Sequence, residues 1–256
     1  MFTTLPSIYS LLEKSAAQYP EKLCVDDNYH SLTYKELLAR SKALAKGLSQ
    51  ITKIKKGQAV GIVLINSVTF VEVHFSLFCG GFISVPLDPE IKYSNLLYAI
   101  NKAELSVVIT DNIKIAKYLT SQLSSPIVIF SGENKEKYCY SLDKLFDYSG
   151  DQYKSTITNS RAIASYMFTT GSTGNPKAVV LSHFNVLSAI DNIVEFVGYE
   201  HNYHELVTLP LSHSFGLGHV YCNIAVGGRV SLLPGISDFR LLFNTLLGLY
   251  FNPGLL

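Results

Sequence analysis

Six consecutive residues from Thr169 onwards are threonine, glycine or serine, and after Asn175 comes a Pro176-Lys177 pair. Small residues allow a backbone to turn tightly and to approach a ligand closely. Hydroxyl groups and unpaired backbone N–H groups donate hydrogen bonds to phosphate oxygens, and a lysine adds positive charge. An arbitrary segment rich in Ser, Thr and Gly is most often a surface turn. The length of this run, the Pro-Lys pair after it and the apolar segment before it favour a loop that binds a polyphosphate.

We call residues 169–177 the phosphate loop. It is not a Walker A sequence, which requires Gly-Lys followed by Ser or Thr, because here Lys177 lies between Pro176 and Ala178. It resembles the phosphate-binding motif of the adenylate-forming enzymes, a superfamily of acyl-CoA synthetases, peptide-synthetase adenylation domains and luciferases. That pattern is Ser/Thr-Gly-Ser/Thr-Thr-Gly-x-Pro-Lys-Gly, and it is matched by Thr170, Gly171, Ser172, Thr173, Gly174, Pro176 and Lys177. Ala178 departs from the usual glycine, which would matter if a positive φ were needed there.

Three further segments resemble motifs of this superfamily and occur in its order. Residues 32–37 (LTYKEL) are similar to the first core motif and residues 78–89 (FCGGFISVPLDP) to the second. Residues 210–218 (PLSHSFGLG) resemble the segment at the acyl pocket, where His213 matches the histidine of acyl- and aryl-acid-activating members. Amino-acid-activating domains usually carry an aspartate near this position, and this segment has none. The resemblance therefore implies a substrate without an α-amino group.

The implied reaction is attack of a carboxylate on the α-phosphate of ATP, followed by transfer of the acyl group to a thiol, typically coenzyme A. By this resemblance Mg²⁺ bridges phosphate oxygens and His213 lines the acyl pocket. The residues implied to bind the ATP phosphates are Thr169, Thr170, Gly171, Ser172, Thr173, Gly174 and Lys177. No protein metal site is expected, since the H-x-x-H pair His201 and His204 has no third ligand nearby.

Three functions remain open. The favoured one is an acyl- or aryl-CoA ligase that activates a fatty or aryl acid. The second is an amino-acid adenylation domain that loads the phosphopantetheine of a carrier protein, and the third is a non-catalytic, truncated ligase homologue. The superfamily's adenine, ribose and lid-lysine motifs are not found up to Leu256. We therefore expect residues 1–256 to be a truncated N-terminal AMP-binding core domain that lacks the C-terminal lid and is catalytically incomplete alone.

Charge balance and cysteine usage favour a cytoplasmic protein. Hydrophobic residues make up 48% of the chain and charged residues 16%, with a net charge of +1, so nucleic acid and anionic membranes are not expected as partners. The four cysteines include no C-x-x-C pair, which favours reduced thiols. The N-terminus does not resemble a secretory signal. The longest apolar stretch, residues 68–85, is interrupted by Glu72 and His74, so a buried helix is expected rather than a membrane span.

The elements that must position the phosphate loop alternate between strand and helix patterns, which predicts an α/β fold with mostly parallel sheets flanked by helices. Strands are expected at residues 59–65, 83–87, 106–110, 126–130, 162–168, 206–211 and 229–233. Helices are expected at residues 8–18, 70–78, 95–102 and 183–197, and between residues 110 and 126. A further helix is expected to begin after a Thr33–Glu36 capping box. Residues 131–160 are polar and weakly periodic, which indicates a seam between two lobes with a helical turn at 142–146.

Overall fold

The computed structural model describes residues 1–122, 126–132, 139–148, 150, 153–156, 159–169, 176–235 and 242–243. Within these residues the chain forms two β-sheets, of seven and four strands, with helices packed against them. The strands are β1 Leu23–Asp26, β2 Ser31–Thr33, β3 Ala59–Val63, β4 Ile83–Pro86, β5 Val107–Thr110, β6 Ile127–Phe130, β7 Tyr140–Ser141, β8 Ile163–Thr169, β9 Lys177–Ser182, β10 His204–Val207 and β11 Arg229–Leu232. The helices are α1 Tyr9–Gln18, α2 Tyr34–Thr52, α3 Val68–Gly80, α4 Tyr93–Lys102, α5 Ile113–Gln122, α6 Asp143–Phe146, α7 His183–Val197 and α8 Ser214–Val226.

The seven-stranded sheet has the order β7-β6-β5-β3-β4-β8-β9. Its neighbouring strands are parallel except for β8 and β9, which form an antiparallel pair. Strands β3, β4 and β5 are buried along their whole length, because helices cover both faces of a parallel sheet and every side chain is then inside. This confirms the predicted α/β class with mostly parallel strands.

The four-stranded sheet has the order β10-β11-β1-β2 and joins distant parts of the sequence. Strand β1 pairs in parallel with β11, where Val25 lies opposite Val230, and it pairs antiparallel with β2. Strands β1 and β2 are too short to produce a clear alternating pattern, so they were not predicted. The parallel partner of β1, strand β11, lies more than 200 residues away along the chain, and local sequence carries no signal for such pairing.

The two most specific local predictions, a helix start and a helix stop, are confirmed. The Glu36 N–H donates to Thr33 Oγ1 at 3.2 Å, and Glu36 Oε2 accepts from the Thr33 N–H at 2.8 Å, which is the reciprocal pattern of a capping box. Helix α3 ends at Gly81, whose φ of +72° lies in the left-handed region that glycine adopts readily. Among the described residues, no helix is both long and apolar enough to cross a bilayer.

Several elements differ from expectation near the fourth motif. The strand expected at 206–211 runs from His204 to Val207, because the Leu211 N–H donates to Asn66 Oδ1 at 2.8 Å instead of to a neighbouring strand. Residues 214–226 form α8, for which no helix was predicted; residues 214–218 were assigned only as part of the motif at 210–218. The described part of 131–160 contributes α6 at the expected helical turn and β7, which extends the seven-stranded sheet. The lobe seam stays a prediction.

Candidate functional site

The phosphate loop connects β8 to β9, at the end of the seven-stranded sheet where β8 finishes. Thr169 is the last residue of β8, and Lys177 lies opposite it as the first residue of β9. The Thr169 hydroxyl donates to the Lys177 carbonyl oxygen at 3.4 Å, and the Lys177 side chain is exposed. The strand pairing therefore brings two predicted phosphate-binding residues together. The other five, Thr170, Gly171, Ser172, Thr173 and Gly174, lie outside the described residues.

A cavity of about 330 Å³ lies beside the phosphate loop, and we call it the loop-side cavity. Three segments that are distant in sequence meet there: the turn after β4, the two ends of the phosphate loop and the turn before α8. Its polar lining residues include Asp88, Lys92, Asn95, Thr169, Ser212 and His213. Because β4 and β8 are parallel neighbours, their carboxyl ends form one edge of the sheet, which is the usual place for ligands in such folds.

His213 and Ser212 sit in the turn that precedes α8. The His213 N–H donates to the Pro210 carbonyl at 3.1 Å, and its side chain is exposed at the loop-side cavity. Ser212 is buried, and its Oγ has no hydrogen-bond partner. Sequence reasoning selected His213 but missed Ser212, although the same motif contains both. The predicted role of His213 at an acyl pocket stays a prediction, since this residue lines the polar cavity rather than the neighbouring apolar one.

A second cavity of about 330 Å³, the apolar cavity, lies between β8, β9, α7 and α8. Most of its wall is aliphatic or aromatic, with Met167, Val179, Leu181, Val186, Ile190, Ile193, Leu217 and Tyr221 among the lining residues. The lining residues of β8 are Ser165, Met167 and Thr169, which share one face because side chains alternate along a strand. Thr169 also lines the loop-side cavity. An apolar compartment and a polar compartment therefore meet at this one residue.

Behind the wall of the apolar cavity lies a hydrogen-bonded group that sequence reasoning did not find. His74 Nδ1 is 2.8 Å from Ser84 Oγ, and His74 Nε2 is 2.5 Å from the Tyr221 hydroxyl. Complete burial lowers the pKa of His74 to about 3, so the imidazole is neutral at physiological pH. One of its nitrogens then donates and the other accepts. The only signal in the sequence is a histidine within an otherwise apolar helix, which is too common a pattern to predict a cluster.

The histidines of the H-x-x-H pair have other partners. His204 Nε2 is 2.8 Å from Ser231 Oγ, and His201 stacks on Tyr19 with ring centroids 5.6 Å apart. Within the part of the chain that the structure describes, no group of three or more His, Cys, Asp or Glu side chains is placed to hold a metal ion.

Comparison with known proteins points to one family. The family described as AMP-binding enzyme matches residues 12–249 of the chain. Among curated proteins, malonate–CoA ligase ACSF3 of Xenopus laevis is 26% identical over 226 residues, which cover 86% of this chain and 38% of that protein. Syringomycin synthase SyrB1 of Pseudomonas syringae pv. syringae is 26% identical over 230 residues, which cover 89% of this chain and 35% of that protein.

Solved structures agree on the architecture. A long-chain-fatty-acid-CoA ligase, FadD1 of Archaeoglobus fulgidus, superimposes with a TM-score of 0.84 at 22% sequence identity, covering 93% of this chain and 49% of that one. At this identity the likeness supports the fold alone. The chain spans less than half the length of the curated relatives that it matches.

Proposed function

The chain belongs to the AMP-binding family of adenylate-forming enzymes, and on that basis we propose that it serves the ATP-dependent activation of a carboxylic acid. The acid carboxylate attacks the α-phosphate of ATP, and the products are an acyl-adenylate and pyrophosphate. The thiol of coenzyme A then attacks the acyl carbonyl, a thioester forms, the bond between the acyl group and the phosphate breaks, and AMP leaves. The meeting of a polar cavity and an apolar cavity at Thr169 is the observation that carries this proposal.

The reaction needs two negatively charged groups to be held together, and this arrangement of cavities suits that requirement. The apolar cavity would bury the body of the acid and leave its carboxylate at Thr169. The loop-side cavity would receive the ATP phosphates, with Lys177 and the hydroxyls of the phosphate loop stabilising charge on the leaving pyrophosphate. Holding both reactants in this geometry lowers the entropic part of the barrier.

Two residues that line the loop-side cavity can donate hydrogen bonds to a bound triphosphate, whereas two others carry negative charge. The unpaired Ser212 Oγ and the side chain of Lys92 line the loop-side cavity and can donate hydrogen bonds to phosphate oxygens. Asp88 and Glu90 line the same cavity, and their exposed carboxylates would repel a bare triphosphate. Mg²⁺ bound to the phosphate oxygens would offset that repulsion. In this proposal Mg²⁺ would supply positive charge, and the protein side chains would hold the phosphates in place.

An amino-acid adenylation domain that loads a carrier protein is the second candidate, favoured by the similarity to a nonribosomal peptide synthetase, agiA of Aspergillus flavus, which is 27% identical over 231 residues. The lining of the apolar cavity argues against it. None of the described residues that line this cavity carries a charge, so the ammonium group of an amino acid would be buried without a partner. An unpaired buried charge is strongly unfavourable. A neutral acid body is therefore the better match.

Hydroxamate trapping with ATP and a panel of carboxylic acids, run on the complete gene product, tests the proposed function. We expect acid-dependent hydroxamate formation with apolar acids and none with amino acids. Lys177→Ala should weaken ATP binding by roughly tenfold, because one charge-assisted hydrogen bond contributes about that much. Lys35→Ala is the matched control, since Lys35 is an exposed lysine paired with Glu21 at 3.1 Å and lines neither cavity.

Each result has a clear meaning. Unchanged ATP affinity in Lys177→Ala would remove this lysine from the proposed site. Hydroxamate formation with amino acids alone would favour the carrier-loading candidate, and none with any acid would favour the non-catalytic homologue. Because the chain spans less than half of its relatives, we expect residues 1–256 alone to bind ATP weakly without pyrophosphate exchange. Carboxylate-dependent exchange by the isolated chain would contradict that expectation.

A further inference from the structure

Among the described residues that line the apolar cavity, Ser165 carries the one buried hydroxyl group without a hydrogen-bond partner. Ser165 is 2% exposed, and its Oγ has no hydrogen-bond partner. Two other polar side chains on this wall are hydrogen-bonded. The Tyr221 hydroxyl contacts His74, and Asn185 Oδ1 accepts from the Ser182 N–H at 3.0 Å and from Ser182 Oγ at 2.7 Å. A buried hydroxyl without a partner is rare in folded proteins, since its hydrogen bonds to water are lost without replacement.

Ser165 belongs to a polar group at the wall of an otherwise apolar space. It lies opposite Ser84 in the β4–β8 pair, and Ser84 Oγ is hydrogen-bonded to His74. His74 in turn contacts the Tyr221 hydroxyl, and Tyr221 lines the cavity as Ser165 does. We call Ser84, His74, Tyr221 and Ser165 the polar floor. The first three are hydrogen-bonded to one another, and the Ser165 hydroxyl is the member without a partner.

The dimensions of the cavity indicate where along a ligand this hydroxyl would act. Ser165 and Thr169 share one face of β8 and are four residues apart, roughly 13 Å at the rise of a β-strand. A volume of about 330 Å³ is about twice the ~150 Å³ that is known to accommodate benzene, so it can hold about a dozen carbon atoms. An acid with its carboxylate at Thr169 would therefore place its far end at Ser165.

We propose that Ser165 selects the substrate, and that the apolar cavity takes an elongated apolar acid with a neutral hydrogen-bonding group, such as a hydroxyl, at the end remote from the carboxylate. This inference rests on the proposed function, because it assumes that the acid occupies this cavity. The Ser165 hydroxyl is already shielded from water, so pairing it with a ligand recovers a hydrogen bond without a further desolvation cost to the protein.

The selected group must be uncharged. His74 is neutral because burial lowers its pKa to about 3, and none of the described lining residues carries a charge. A terminal ammonium or carboxylate at Ser165 would therefore be buried without an opposite charge. A hydroxyl can donate to or accept from Ser165 without that cost.

Isothermal titration calorimetry on the 256-residue chain can test this inference with decanoate and ω-hydroxydecanoate as a matched pair. We expect the wild-type chain to bind the hydroxy acid roughly fivefold more tightly, the effect of one additional hydrogen bond. Ser165→Ala should bind both acids equally and retain its thermal stability, since it removes only an unpaired hydroxyl. Ser41→Ala is the matched control: Ser41 is another fully buried serine with an unpaired Oγ, but it lies in α2 and lines neither cavity.

The possible outcomes separate this inference from the proposed function. If the wild-type chain binds both acids equally, or if Ser165→Ala keeps the preference, the inference is overturned while the acid site stands. Loss of the preference in Ser41→Ala as well would overturn it too, since the effect would not be specific to the cavity. If neither acid binds, the apolar cavity is not the acid site; this overturns the inference and the placement of the acid in the proposed function, whereas acid activation itself is decided by the hydroxamate panel.

Discussion

The hydroxyl groups around the two cavities differ in how completely the fold pairs them. Thr169 Oγ1 makes one long hydrogen bond of 3.4 Å to Lys177 O, whereas Ser212 Oγ and Ser165 Oγ make none. Ser41 Oγ is also unpaired, although it lies in α2 away from both cavities. An unpaired hydroxyl is therefore insufficient evidence for a site. It becomes informative at Ser165 and Ser212 because each also lines a cavity.

His74 should make the stability of the chain sensitive to acid. Its pKa is about 3 in the folded chain, against 6.5 as the ordinary value, so the unfolded state binds more protons than the folded state between these pH values. The free energy of unfolding should therefore fall as the pH falls through this window, by at most ~1.4 kcal/mol per pH unit from this residue. Urea denaturation at neutral pH and at about pH 5 measures this dependence.

Two variants isolate the contribution of His74 from those of other titrating groups. His74→Gln removes the titrating ring and should flatten the pH dependence between those two conditions. Tyr221→Phe leaves His74 Nε2 without its partner, which should cost about 1–3 kcal/mol, but it keeps the titrating ring and hence the slope. If His74→Gln shows the same slope as the wild type, the assigned protonation state of this histidine is incorrect.

Helix α8 approaches the turn that carries Ser212 and His213, and a glycine makes that approach possible. A Cβ atom at Gly216 would overlap the carbonyl oxygen of Pro210 and lie 2.9 Å from that of Leu209. Both atoms belong to the backbone, so a methyl group could be accommodated only by moving the turn or the helix. The position of Ser212 and His213 at the loop-side cavity therefore depends on the absence of a side chain in α8.

Gly216→Ala should destabilise the chain by about 1–3 kcal/mol, the usual cost of forcing an additional methyl group into packed structure. Gly218→Ala provides the matched control in the same helix, because nothing lies within 4 Å of a Cβ atom there. This second change should be neutral or stabilise the chain by up to ~1 kcal/mol, since alanine favours helix. Only Gly216→Ala should lower the thermal unfolding midpoint, and equal decreases in both variants would contradict the packing argument.

The whole molecule depends on contacts between the beginning of the chain and residues near 230. Asp26 in β1 accepts from Arg229 Nε and from Ser231 Oγ, both at 2.8 Å. The Tyr34 hydroxyl donates to the Gly228 carbonyl at 2.7 Å. The first 34 residues are therefore part of the same core as β11 and α8. Loss of these contacts should affect the entire fold rather than one end of it.

Asp26→Ala should lower the free energy of unfolding by about 2–3 kcal/mol, because the largely buried Arg229 guanidinium would lose its opposite charge. Glu21→Ala, which breaks the exposed pair with Lys35, is the control and should cost less than ~1 kcal/mol. Chemical denaturation of both variants measures the difference. If Asp26→Ala lowers the free energy of unfolding no more than Glu21→Ala does, the Asp26–Arg229 ion pair does not stabilise the contact between β1 and β11.

Signals confined to a short stretch of sequence predicted much of this protein. The capping box at Thr33, the helix stop at Gly81, the buried strands and the strand that precedes the phosphate loop were predicted correctly, because each depends on neighbouring residues. Helix α8 was not predicted because its sequence lacks the one-sided apolar periodicity of a surface helix. Most of this helix is buried, so its apolar residues are spread around it. The role of His213 is untested, since the resemblance names a residue type but not its contacts.

The order of residues along the chain was sufficient to identify the fold class, the family and the loop expected to bind phosphate, because each is carried by short motifs or by alternation of helix and strand. Which residues line the cavities, and which lie behind their walls, was decided only by the tertiary structure. Ser165, Ser84, His74 and Tyr221 come from four different elements and show no spacing pattern. Strand pairing and helix packing bring them together, and in that packing the buried Ser165 hydroxyl has no partner although its residue lines the apolar cavity.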